Sequence, residues 1–186
     1  PINNRLTGFN EIVAVYLVDG EGMLRYGSDS SSVDLDVSDR DYFRALKEQP
    51  DQGMVASDVL RLRTTGQTTV MLARAVGGSR GEFLGVVGMT LHLGYFTDLL
   101  AKVDLGRDGF LAFGRVGDGR ILLRQPAAEF SANLRLGELL RERIALGADA
   151  GTVLDRDPED QIERLVSFRR VQGYPWYVVA GVAEDE

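Results

Sequence analysis

The chain has 186 residues, 44% of them hydrophobic and 26% charged, so it can bury a core and lies outside the composition range of disordered chains. Its net charge of −7, with basic residues scattered among acidic ones, leaves no positive stripe to hold phosphates or anionic lipid, which argues against nucleic acid as a partner. It contains no cysteine, and this removes disulfides, thiolate metal sites and a cysteine nucleophile.

In chain order, residues 11–18 (EIVAVYLV) read as a strand. Asp19-Gly20-Glu21-Gly22 turns it into a second strand at 23–26, a β-hairpin. A helix is expected over 38–49, with Ser38 as its N-cap and Asp39 and Asp41 in the first turn, where the helix dipole favours carboxylates. Tyr42, Phe43 and Leu46 then share one apolar face, and Pro50 stops the helix. After a turn at Gly53 comes a strand carrying Ser57 and Asp58, followed by strands at 71–76 and 81–91. Residues 94–103 (GYFTDLLAKV) read as an amphipathic connecting helix. The most apolar stretch, 83–96, is interrupted by glycines and His92 and is too short for the ~20 residues of a spanning helix.

The same design then returns. A hairpin, LAFGRV and ILLR around Gly117-Asp118-Gly119, lies roughly one hundred residues after the first. A helix at about 134–146 and closing strands at 165–171 and 174–182 follow. Each copy has the order β-β-α-β-β-β, so the chain is read as a tandem duplicate of the α+β class, divided at 1–98 and 99–186.

The ordered series DVSDRDYFRAL (36–46), MVASDV (54–59), MLARAV (71–76), GEFLGVVGMTL (81–91) and YFTDLL resembles the double Cache (PDC) sensor domain, a pair of PAS-like subdomains, over nearly the whole chain. That family has a long leading helix of which only 3–10 could be the end, so the chain is expected to be an excised piece. The resemblance implies a periplasmic domain of an inner-membrane receptor, held by flanking membrane helices and dimeric in the full protein. It signals to a cytoplasmic histidine kinase, diguanylate cyclase or chemotaxis output. The membrane-distal first unit would bind a small molecule, often an amino acid or carboxylate, and the membrane-proximal second unit would relay. The domain itself would be no enzyme and need no cofactor. The rival reading is a ligand-independent interaction or dimerisation module.

The resemblance directs attention to Arg40, Asp41, Tyr42, Ser57, Asp58 and Arg74. Alternation through Val70, Leu72, Arg74 and Val76 places Arg74 on an apolar strand face, where a guanidinium needs an anionic partner. That partner could be a ligand carboxylate or an internal Asp41 or Asp58. Arg169 holds the equivalent place in the second unit, which favours an architectural role. Tyr42 could wall a pocket or be core, and Arg40, one turn from Arg44, is the pocket candidate on the polar side of the helix. Asp58, beside Ser57, or else Asp41, could receive an amino group.

Enzyme readings are weaker. Gly77-Gly78-Ser79-Arg80-Gly81 fits G-x-S-x-G, but a nucleophile elbow joins a strand to a helix, and here both flanks read as strands. His92 follows without an intervening Asp. Asp34, Asp36, Asp39 and Asp41 lack the spacing of a calcium loop and are assigned to caps and turns.

Overall fold

The computed structural model describes residues 8–29, 34–63, 66–126 and 134–183. The chain divides into two compact units, Pro1–Tyr95 and Phe96–Glu186. Each consists of one antiparallel sheet with a helix laid on one face, the expected α+β arrangement.

In the first unit the described strands are β1 (Ile12–Asp19), β2 (Met23–Gly27), β3 (Leu35–Asp36), β4 (Met54–Arg61), β5 (Thr68–Gly77) and β6 (Phe83–His92). Their order across the sheet is β3-β2-β1-β6-β5-β4. Period-two burial on β1 turns Ala14, Tyr16 and Val18 inward, and antiparallel pairing sets them opposite Thr90, Gly88 and Val86 of β6. Gly85 is the one position on β6 where the backbone demands glycine. Its φ is 146°, and a Cβ there would collide with the Val18 carbonyl across the ladder.

Helix α1 (Asp41–Glu48) places Tyr42, Phe43 and Leu46 on this face, where they join Met71, Ala73 and Val86 in one core. A 3-10 turn at Pro50–Gln52 follows it. The start of α1 differs from the sequence expectation, because the N-cap is Arg40 and no side chain caps it. Ser38 instead gives its N–H to Asp36 Oδ1 at 2.9 Å, in a turn that delays the helix by two residues. Asp41 becomes the first helical residue. Its Oδ2 accepts the N–H of Asp58 on β4 at 2.8 Å and its Oδ1 accepts the N–H of Tyr42 at 2.8 Å, tying the helix to the sheet.

Helix α2 (Leu93–Leu100) begins with the Tyr95 N–H donated to His92 Nδ1 at 3.0 Å. The second unit contains β7 (Phe110–Arg115), β8 (Ile121–Gln125), α3 (Glu138–Ala145), β9 (Ala150–Arg156), β10 (Glu163–Arg170) and β11 (Trp176–Ala183). Its strand order, β8-β7-β11-β10-β9, repeats β2-β1-β6-β5-β4. Phe110, Ala112, Leu140, Val166, Phe168 and Tyr177 form its core under α3.

The helix tie also recurs, with donor and acceptor exchanged. Buried Asp155 of β9 accepts the Leu140 N–H in the first turn of α3 at 3.0 Å, doing the work of a missing cap. Gly137, the N-cap, has no room for a Cβ because Asp155 occupies that space. Asp155→Ala leaves this buried N–H unpaired and is expected to cost about 1–3 kcal/mol, read as a lower urea midpoint.

Candidate functional site

Between α1 and the sheet of the first unit lies a cleft that encloses about 420 Å³ when its open mouth is counted. Its wall is apolar: Val18, Leu24, Val37, Leu60, Leu62 and Met71 line it, with Leu35 and Tyr16 beside them. Its polar groups are Arg40, Tyr42 and Arg63.

Each element contributes for a local reason. Tyr42 sits in the first turn of α1 on the same face as Phe43 and Leu46, so the packing that docks the helix also buries its ring, leaving the residue 4% exposed. Burial pushes the Tyr42 phenol up to about 12, so it stays protonated and can only be a hydrogen-bond donor or neutral acceptor at neutral pH. Its hydroxyl has no hydrogen-bond partner among the described residues. Arg40, as N-cap, leaves the helix half-buried at the cleft. Its Nη2 donates one long bond of 3.4 Å to the Arg61 carbonyl, and it makes no ion pair among the described residues.

Arg63 is more committed: Nη2 meets Asp39 Oδ2 at 2.6 Å and Nη1 donates to the Asp36 carbonyl at 2.5 Å. The same pairing holds Asp39 below its ordinary carboxylate value.

The sequence candidates therefore separate. Arg40 and Tyr42 come together at the cleft. Asp41 lies next to them, but its carboxylate is turned to backbone N–H groups. Ser57, fully buried, donates to the Asp58 carbonyl at 2.6 Å and accepts the Met71 N–H at 2.9 Å. It fills the irregularity where β4 slips register against β5 between Ala56 and Val59. Neither Ser57 nor Asp58 lines the cleft.

Arg74 does not line it either. On β5 the residues that reach the core under α1 are Met71 and Ala73, so Arg74 is on the opposite face. It is exposed there, as Arg169 is in the second unit, and water solvates the guanidinium that was expected to need an anion. Tyr16 and Arg63 are the cleft residues bearing polar groups that sequence reasoning missed. Arg63 lies two residues beyond β4 and reaches the cleft only because the pairing of β4 with β5 brings it beside α1.

The second unit has a cleft of about 310 Å³ lined by Phe110, Arg124, Asp155, Asp157 and Arg164 among others. Arg124, Arg164, Asp157 and Asp160 satisfy one another there. Arg124 meets Asp157 at 2.5 Å, Arg164 meets Asp160 at 2.6 Å and Asp157 at 3.4 Å, and both guanidinium groups cover the Phe110 ring, at 4.2 and 5.5 Å from its centroid. Arg135, also on this wall, makes no ion pair among the described residues.

The alternative chemistries find no geometry. Residues 78–82 join β5 to β6, strand to strand, and His92 is at the far end of β6, ~30 Å of extended chain from that loop. Among the described residues no cluster of three acidic or histidine side chains is placed to hold a metal. No helix among them is long and apolar enough to cross a membrane.

Two antiparallel sheets of one strand order, each with a helix on its face and the first with a half-open cleft beneath the helix, define a PAS-like sensor module. A family model for the Cache domain matches residues 2–186, and the chain belongs to that family. Domains of this type are sensors and are not themselves catalytic.

Among solved structures, the chain is similar to the extracellular domain of rpHK1S-Z16, a protein assigned as a histidine kinase. The two are 28% identical with a TM-score of 0.79, over 99% of this chain and 77% of that one. It shares its fold with the ligand-binding domain of the Pseudomonas fluorescens chemoreceptor CtaA in complex with L-isoleucine (23% identity, TM-score 0.64, 97% and 72% covered). The same holds for that of the Pseudomonas aeruginosa PAO1 amino acid chemoreceptor PctB in complex with L-Gln (19% identity, TM-score 0.66, 100% and 72% covered). A search of curated protein sequences gives no match.

Proposed function

We propose that this chain is the extracytoplasmic sensor of a bacterial inner-membrane receptor, that a small molecule occupies the cleft of its first unit, and that the first unit is membrane-distal. The observation that carries this reading is the pair of unspent donors, Arg40 and the Tyr42 hydroxyl, on the wall of an otherwise apolar cleft. Solved relatives of the same fold hold amino acids in their ligand-binding domains, and rpHK1S-Z16 points to a histidine kinase as the output. A diguanylate cyclase or a chemotaxis output fits the same sensor. The receptor is a homodimer in this reading, and the second unit relays the signal. A ligand can shift the receptor only by binding its two states unequally, so contacts at Arg40 must differ between them.

The test is thermal unfolding of the chain against amino acids, mono- and dicarboxylates and other small metabolites. A compound at 100 times its dissociation constant adds about 2.7 kcal/mol, a shift of roughly 5–10 °C for a chain of this size. The shift is expected to fall by about half or more in Arg40→Gln and to persist in Arg74→Ala. A response that survives Arg40→Gln but is lost in Arg74→Ala would move the site to the opposite face of the sheet.

A further inference from the structure

We infer that the cleft of the first unit selects a small carboxylic acid with an apolar body and no ammonium group; this rests on the reading of that cleft as the ligand site.

The anion-binding half comes from the two donors. Among the described residues Arg40 makes no ion pair and the Tyr42 hydroxyl no hydrogen bond, and neither group is sealed from solvent, so both can donate to an acceptor that enters the cleft. A carboxylate has two oxygens and can accept from both at once. Arg63, the third polar group, is already paired with Asp39 and adds positive potential without needing a ligand.

The exclusion of an ammonium comes from the acids. No aspartate or glutamate is among the residues lining the cleft. The acids around it are each turned to another group. Asp29 accepts from the Tyr16 hydroxyl at 2.8 Å, Asp36 holds Ser38, Asp39 holds Arg63, and Asp41 holds the N–H groups of Asp58 and Tyr42. Residues 30–33 and 64–65 carry only serine, valine and threonine in the sequence, so no carboxylate comes from them. An α-ammonium entering this cleft would lose its water and meet two arginines without a counter-charge. The apolar wall opposes a second carboxylate for the same reason and offers burial to a hydrocarbon tail.

Calorimetric titration of the folded chain tests this with matched probes. The acids are isocaproate, 3-phenylpropanoate and octanoate; leucine and phenylalanine are the α-amino counterparts of the first two; the neutral controls are the amides of the same acids. At least one acid is expected to bind, its amino-acid counterpart at least about tenfold more weakly, and its amide not measurably. Arg40→Gln is expected to weaken the acid at least about tenfold with an unchanged circular dichroism spectrum, and Tyr42→Phe to weaken it less.

Amino acids that bind as well as the acids, with the same dependence on Arg40, would overturn the ligand class and leave the cleft as the ligand site. Acid binding indifferent to Arg40→Gln would overturn the cleft itself. If none of the acids binds while another small metabolite responds through Arg40, the class is again wrong and the cleft stands.

Discussion

Arg164→Ala is expected to destabilise the second unit by about 3–5 kcal/mol, measured as a fall in the urea midpoint with little change in slope. The Arg164 residue is 2% exposed, and its guanidinium makes four contacts: Nε to the Asp108 carbonyl at 2.5 Å, two bonds to the Asp160 carboxylate and one to Asp157. Removing it leaves Asp157 buried with Arg124 as its remaining cation, uncovers one side of Phe110 and unties the start of β10 from the segment before β7. The magnitude is that of a broken buried network, not of a surface ion pair, because the buried Asp157 carboxylate has no water to replace the lost cation, although Asp160 is partly exposed.

The pH dependence of that loss separates its causes. Asp160 is held below the ordinary carboxylate value of 3.8, first by the hydrogen bond from Arg164, and Arg164 is raised in return by the same bond. A carboxylate whose folded value is depressed contributes stability above its unfolded value and loses it as pH falls through the folded one. The cost of Arg164→Ala is therefore expected to be full from about pH 5 to 7 and to shrink as pH falls below about 4. A cost that stays constant into acid would assign the effect to lost packing on Phe110 instead.

Much of this fold could be read from the residues, because its signals are local. Glycine-rich turns bounded the two hairpins, alternation on β1 marked Ala14, Tyr16 and Val18, and the one-faced set Tyr42, Phe43 and Leu46 marked α1. The recurrence of the pattern disclosed the duplication, which the repeated strand order expresses in three dimensions. The site was only half legible. Arg40 and Tyr42 could be found because the helix carrying them could be found. Arg74 was misplaced because Val70, Met71, Leu72 and Ala73 are all buried, so alternation on β5 does not say which parity faces α1. That is settled by register, with Ala73 opposite Gly88 and Arg74 opposite Val87, and register depends on residues far away in sequence. Ser38 misled for the opposite reason, since Asp36 competes for its N–H within two residues.

The dependence of the site on α1 predicts that Phe43→Ala will cost about 3–5 kcal/mol. Phe43 is 2% exposed, its ring meets Phe83 edge-on at 5.9 Å between centroids, and Lys47 reaches across it to donate to the Gly20 carbonyl at 2.8 Å. Phe43 does not line the cleft, so the effect of its truncation on binding must pass through the position of α1. Phe43→Leu keeps most of the volume and is expected to cost less, on the order of 1–2 kcal/mol, leaving a folded chain for titration. Its affinity for whichever compound shifts the unfolding temperature is expected to fall several-fold although Arg40 and Tyr42 are unchanged, because a helix that settles toward the gap carries both donors with it. Affinity unchanged in Phe43→Leu would mean that the Asp41 tie to β4 alone holds that end of α1 in place, and Asp41→Ala would then be the variant that loses the ligand.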